Sequence, residues 1–179
     1  VTGAVLVTGA AGFIGSHVSE ALVAAGRAVV GYDNFDPFYD RALKERNLAG
    51  LKASGGFTLV EGDILDRPRL AAAFADHGVT EVIHLAALAG VRPSLEQPYR
   101  YHEVNVLGTA AVLESAREAG VEGFLFGSSS SVYGVGDKVP FSESDPADRP
   151  ISPYAASKKA GELAAHCYHH LYGFPVTCL

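Results

Sequence analysis

The sequence predicts an α/β fold of the Rossmann type, a doubly wound parallel sheet with helices on both faces. Three observations predict it. Short, nearly all-apolar runs alternate with segments whose apolar residues recur at helical spacing, the pattern of parallel strands joined by crossover helices. A glycine-rich turn, Thr8-Gly9-Ala10-Ala11-Gly12-Phe13-Ile14-Gly15, directly follows the first run. Asp33 closes the second run, the position from which a carboxylate meets a ribose in dinucleotide-binding sheets. With 179 residues and 48% hydrophobic content the chain can bury a core without disulfides or metals. Residues 1–179 are read as one dinucleotide-binding domain.

The strands are expected at 4–8, 28–32, 57–61, 81–85, 123–128 and 176–179, each short and apolar enough for burial on both faces. Between the first two, Ile14, Val18, Leu22 and Ala25 mark the helix face that packs on the sheet. The segment from Asp33 to Asp40, rich in Asp, Asn and Pro, reads as a loop before a second helix, which carries Lys44 and Arg46 on a solvated face. A third helix over 68–77 begins where Asp66 can cap it. Val104, Leu107 and Ala111 mark the buried face of another, and Ser152-Pro153-Tyr154 opens the last, with Pro153 in its first turn.

In the glycine turn, Gly9 permits the bend, Gly12 lets a pyrophosphate approach the backbone and Gly15 allows close helix packing. The helix behind it, starting at Phe13 and Ile14, points its amides at the anion. The G-x-x-G-x-x-G spacing differs from the commonest dinucleotide fingerprint. Asp33 can accept from both ribose hydroxyls and would repel a 2′-phosphate, which favours NAD over NADP. By the same carboxyl-end logic, Asn34, Asp63 and Ile64 are placed beside the adenosine, and Leu85, Ala86 and Ala87 beside the cofactor after the fourth strand. A helix cap followed by a core residue explains Asp63 and Ile64 equally well.

Tyr154 and Lys158 share one helix face, where an ammonium can favour the phenolate and lower a tyrosine pKa from about 10 toward neutrality. Alone, that spacing is as consistent with a surface contact. Ser128, Ser129, Ser130 and Ser131 follow an apolar strand directly, so they read as the rim of a site and not as a linker.

Composition excludes other classes. There are 20 acidic against 14 basic residues, a net charge of −6, and no basic patch interleaved with aromatics, so nucleic acid is a poor partner. No apolar run is long enough to span a membrane. Cys167 and Cys178 lack zinc-site spacing and suggest a reducing cytoplasm. His166 and His170 have metal-ligand spacing without a third ligand, and no metal site is assigned. His84 is read as a satisfied core histidine and Asn105 as a structural hydrogen-bonder between neighbouring strand ends. There is no Met, and the expectation is that the sequence is a processed product or fragment.

Taken in order, "TGAAGFIGSH", "GDILD", "HLAALAGV", "SSSSVYG" and "SPYAASKKAGEL" resemble the extended short-chain dehydrogenase/reductases, specifically the NAD-dependent sugar-nucleotide epimerases and dehydratases. "DNFDPFYDRALKERNL" and "AGVRPSLEQP" are most similar to the UDP-glucuronate 4-epimerase branch. The resemblance implies Tyr154 as the proton-transferring base, Lys158 as its activator and Ser129 as the hydroxyl that holds the reacting sugar oxygen. Where the dehydratases carry an Asp-Glu pair this chain has Ser130 and Ser131, so expulsion of water is disfavoured, as is the decarboxylase pattern with Glu at the second position. Ser130 and Ser131 are assigned to the uronate, and Arg92 to the uronate or the diphosphate. The implied partners are a UDP-sugar and a second copy of the chain, paired through helices over 99–119 and 153–172. The family's small C-terminal substrate lobe is expected to be missing here. A UDP-glucose epimerase, a decarboxylase and an inactive NAD-binding module remain as alternatives.

Overall fold

The computed structural model describes residues 3–135 and 140–179. The elements run β1 (Ala4–Thr8), α1 (Phe13–Ala24), β2 (Val29–Asp33), α2 (Arg41–Ala53), β3 (Phe57–Glu61), α3 (Arg67–His77), β4 (Val79–His84), α4 (Val91–Glu96) and α5 (Pro98–His102). A π-helical turn (Glu103–Leu107) leads into α6 (Gly108–Ala119), followed by β5 (Gly123–Phe126), a 3-10 turn (Ser130–Tyr133), α7 (Pro153–Tyr172) and β6 (Val176–Cys178). The strands form one sheet in the order β3-β2-β1-β4-β5-β6, and every pairing is parallel. This is the doubly wound Rossmann topology that the alternating pattern predicts.

Both faces of the sheet are covered, and β1 at its centre is buried along its whole length. Leu6 points into a core with Val82, Phe124 and Phe126, against Leu70 and Phe74 of α3 and Leu113 of α6. Val5 and Val7 point the other way, into a cluster that Leu22 and Val23 of α1 complete. Leu48 and Leu51 of α2 close a third cluster over Ala11 and Phe35. Helix starts follow the local chemistry: Asp40 accepts from Ala42 N at 2.8 Å, Asp66 from Arg69 N at 3.2 Å and Ser152 from Ala155 N at 3.1 Å. After β1 the chain winds toward β3, and β4 then returns to the other side of β1. That reversal opens a cleft at the carboxyl ends of β1 and β4.

The structure corrects the sequence in several places. Strand ends move by one or two residues: β2 runs to Asp33 as its last residue, β4 begins at Val79 and β5 stops at Phe126, with Ser128 beyond it. Ile14 is 63% and Leu107 60% exposed, and Ala25 is exposed too. The face of α1 that packs includes Gly15, Ser16 and Ser19, because the helix start lies so close to the glycine turn that only small residues fit. Lys44 is not on a solvated face; it is buried with Leu48 and Leu51. The helix expected over 99–119 is continuous but carries a π turn over Glu103–Leu107.

Candidate active site

The cleft encloses about 400 Å³, within the range of small-molecule sites. Its floor is the turn between β1 and α1. Gly9 sits at φ +70°, and a Cβ there would lie 2.9 Å from Ala86 N. At Gly15 a Cβ would lie 2.2 Å from Gly9 O, so helix and turn interlock only without a side chain. Gly12 differs: a Cβ would meet Gly9 O at 3.2 Å, and the rest of its surroundings is open. Gly12 is the N-cap of α1 and offers no side chain to its first amides. The turn therefore leaves an uncapped, positively polarised helix end facing the cleft. Phe13 and Ile14, 76% and 63% exposed, line the cleft beside it.

At the end of β2, Asp33 is 5% exposed. Its Oδ2 accepts from Ala11 N at 3.0 Å, and its Oδ1 accepts from Phe35 N at 2.8 Å and from Lys44 Nζ at 3.1 Å. The carboxylate thus fixes the glycine turn, the following loop and α2 together. Asn34 Nδ2 donates to Asp63 Oδ2 at 2.8 Å, and Tyr32 Oη donates to Asp63 O at 3.0 Å. Asn34, Asp36, Phe38, Tyr39, Gly62 and Ile64 line this end of the cleft. Arg100 of α5 donates to Asp36.

The loop after β4 carries Leu85, Ala86 and Ala87 along the cleft wall, and a buried relay holds it. Thr8 Oγ1 accepts from Leu85 N and Ala86 N, both at 3.1 Å. With both acceptor sites filled, its proton goes to His84 Nδ1 at 2.7 Å, which leaves Nε2–H to donate to Thr109 Oγ1 at 2.9 Å. Burial, and then the charge of Lys158, push His84 down to about 3, so it stays neutral. Asn105, inside the π turn, brackets Leu88 by accepting from its N–H at 2.8 Å and donating to its carbonyl at 3.0 Å. It also donates to Ser157 Oγ at 3.0 Å. His84 is the satisfied core group expected, whereas Asn105 joins the loop to α7 and does not bridge two strand ends.

At the far end, Gly127, Ser128, Tyr154 and Lys158 line the cleft together. Lys158 is 5% exposed, and burial lowers it to about 8. Its Nζ donates to Gly127 O at 2.7 Å and lies 5.1 Å from the centre of the Phe126 ring. Tyr154 stands edge-on to Tyr101, ring centres 6.2 Å apart, and Tyr101 is itself tied to Ala89 O. Ser129 Oγ accepts from Ser131 N at 3.2 Å and Ser131 Oγ at 2.9 Å, which leaves its own proton to donate outward. Ser128 Oγ donates to Glu162 Oε1 at 2.5 Å. Ser129, Ser130, Ser131 and Asp63 stand outside the cleft lining, and Arg92 is exposed on the short helix α4.

Lys44, Tyr32, Asp36, Phe38 and Gly62 line the cleft without an assignment to it from the sequence. Lys44 carries a findable signal, since it shares the i, i+4, i+7 stripe of Leu48 and Leu51; the others carry none beyond their neighbours. Ser128 lines the cleft, as a residue on the rim of a site should. The cleft as a whole combines an anion cradle, a polar end at Asp33 and Asn34, and a buried ammonium and a phenol in one lining, which suits proton transfer next to a bound dinucleotide.

The profile of the family described as GDP-mannose 4,6 dehydratase matches residues 6–179. The chain belongs to that family. It groups with the extended short-chain dehydrogenase/reductases. UDP-glucuronate 4-epimerase 1 of Arabidopsis thaliana is 51% identical over 98% of this chain and 41% of its own length. A probable UDP-glucuronate 4-epimerase of Rhizobium meliloti is 48% identical over 96% of this chain and 50% of its own. Among solved structures, UDP-glucuronic acid 4-epimerase from Bacillus cereus, in complex with UDP-glucuronic acid and NAD, superposes with a TM-score of 0.87 at 36% identity, over 97% of this chain and 55% of that one. A dTDP-glucose 4,6-dehydratase from Streptomyces venezuelae with NAD bound gives 0.88 at 38% identity, over 97% and 54%. The chain spans about half the length of the relatives it matches. Among the described residues, no helix is long and apolar enough to cross a membrane.

Proposed function

We propose that this chain is the NAD-binding and catalytic half of a UDP-glucuronate 4-epimerase, which interconverts UDP-glucuronate and UDP-galacturonate through a 4-keto sugar. The observation that carries the reading is the convergence of the glycine turn, buried Asp33 and the Tyr154–Lys158 pair on one cleft. Relatives named for that activity, at about half identity, give the substrate. The residues fit NAD: the Gly12 end of α1 is open to a pyrophosphate, and the Asp33 carboxylate keeps lone-pair capacity toward a ribose.

The glycine turn from Gly9 to Gly15 and Asp33 would hold NAD, which when bound would supply the hydride acceptor and donor for C4 of the sugar. Tyr154 accepts the 4-hydroxyl proton and later restores it. Lys158, an ammonium held beside Gly127, favours the tyrosinate and keeps it from capturing a proton prematurely. Ser129 donates its remaining proton to the reacting oxygen. The keto sugar formed from a uronate is a β-keto acid, and Ser130 and Ser131 hold its carboxylate out of alignment with the ketone, the Ser131 hydroxyl turning from Ser129 Oγ to the substrate to do so, which slows loss of carbon dioxide. Arg92 binds an anionic group of the substrate. Ser130 and Ser131 also separate this chain from a dehydratase, whose acid and base would stand there.

The same reading includes a homodimer packed through the helices over 99–119 and 153–172, whose Leu107 and Leu163 are 60% and 55% exposed. It also includes a cytoplasmic location, as two unpaired cysteines suggest. Product analysis tests the function: chain, NAD and UDP-glucuronate should yield UDP-galacturonate. UDP-xylose from UDP-glucuronate, or UDP-galactose from UDP-glucose in preference, would overturn it. A chain that binds NAD and turns over none of these is the nucleotide-binding module alone.

A further inference from the structure

Among the described residues Lys44 is one of two buried lysines, and unlike Lys158 the proposed chemistry leaves it without a task. It lines the cleft at the same end as Asp33 and Asn34. Its side chain is 10% exposed and that of Asp33 4%, with Nζ 3.1 Å from Oδ1. Among the described residues, Asp33 is the one hydrogen-bond partner of an ammonium that has three protons to give. The Phe35 ring, its centre 5.9 Å from Nζ, confines it from one side. Phe35 is buried and held at φ +54°, a left-handed backbone that the Asp33 carboxylate secures through Phe35 N–H.

We propose that Lys44 is a second determinant of cofactor choice, a latent 2′-phosphate acceptor that Asp33 holds in check. The proposal rests on the reading of this cleft as an NAD site. An isolated carboxylate at the ribose end would exclude a 2′-phosphate by repulsion alone. Here the charge of Asp33 is compensated by a neighbouring cation in the same buried pocket, so the repulsion is smaller than the carboxylate implies. While Asp33 engages it, Lys44 offers nothing to a 2′-phosphate. Once the carboxylate is removed, the freed ammonium faces the ribose end and pairs with a phosphate there.

The test measures binding and requires no turnover. Dissociation constants for NAD and NADP are measured by calorimetry, or by competition at low salt, for wild type, Lys44→Met, Asp33→Ser and the double variant, each checked for folding by circular dichroism. Asp33→Ser should shift preference toward NADP by about tenfold or more, the worth of one charge-assisted pairing, and adding Lys44→Met should abolish that shift. Because Asp33→Ser strips three hydrogen bonds and can fail to fold, Lys44→Met alone is the second arm: it should widen discrimination against NADP. An unchanged NADP-to-NAD ratio in Lys44→Met, or equal ratios in Asp33→Ser and the double variant, overturns the proposal. Wild type that is folded yet binds neither dinucleotide overturns the cofactor reading itself.

Discussion

The two ends of the cleft are built from different materials. At the nucleotide end the ligand-facing groups are backbone amides and a buried ion pair, so the residues that would bind also hold the fold: Gly15 interlocks helix and turn, and Asp33 ties the turn to α2. At the reacting end the groups are side-chain hydroxyls and an ammonium, carried by α7 and the loop after β5. Removing one of those leaves most of the packing intact. Damage at the first end should therefore appear as lost stability and lost binding together, and loss of the Tyr154 hydroxyl at the second as lost chemistry alone.

The largest effect expected is at the reacting end. Tyr154→Phe should lower epimerisation by about 10²–10⁴-fold, the usual worth of a positioned proton-transfer group, while the melting temperature stays near that of wild type. A matching loss of stability would blur the contrast. At the nucleotide end, Gly15→Ala forces a methyl group to 2.2 Å from a backbone oxygen. Denaturant unfolding should show a loss of about 3 kcal/mol, at the upper end of overpacking costs. A normal unfolding midpoint would show that the turn can give.

Lys158 provides a pH signature. Its folded-state value is lowered to about 8 from an ordinary 10.5, so above about pH 8 the folded protein releases a proton that the unfolded chain keeps until about 10.5. Between those limits the unfolded chain binds more protons, and stability rises with pH by up to about 3 kcal/mol from this group. Lys158→Met should flatten that rise in urea titrations across the window, and an unchanged slope would mean the ammonium is not desolvated. The smallest effect concerns the contact of Arg100 with the cleft-lining Asp36, where the arginine side chain is 42% exposed. Arg100→Ala should cost about 0.5 kcal/mol, and less at high salt.

The fold was legible because doubly burying a strand demands apolar runs, and all six strands were located within a few residues of their positions. The glycine turn was legible because each of its glycines answers a separate steric demand. Helix faces were read less well. Ile14 and Leu107 have core-like side chains and point outward, Ile14 because it lines a cleft that has no representation in a one-dimensional period. Lys44 runs against the expectation that a charge seeks water, and its spacing with Leu48 and Leu51 places it inside. The π turn at Glu103–Leu107 had no signature in composition; it brings Asn105 to Leu88 and Ser157, contacts made between residues far apart in sequence.

The cradle at Gly12 offers the most direct test of the cleft as a dinucleotide site. Unlike Gly15, Gly12 has room for a methyl group with only a slight shift, and that methyl would stand where the α1 amides meet a pyrophosphate. Calorimetric titration of NAD into wild type and Gly12→Ala, with melting curves for both, separates folding from binding at one atom. The expected result is one NAD per wild-type chain and affinity lowered about tenfold or more in Gly12→Ala at a nearly unchanged melting temperature. Folded wild-type protein that takes up no NAD, or a Gly12→Ala chain that binds it equally well, would contradict the assignment.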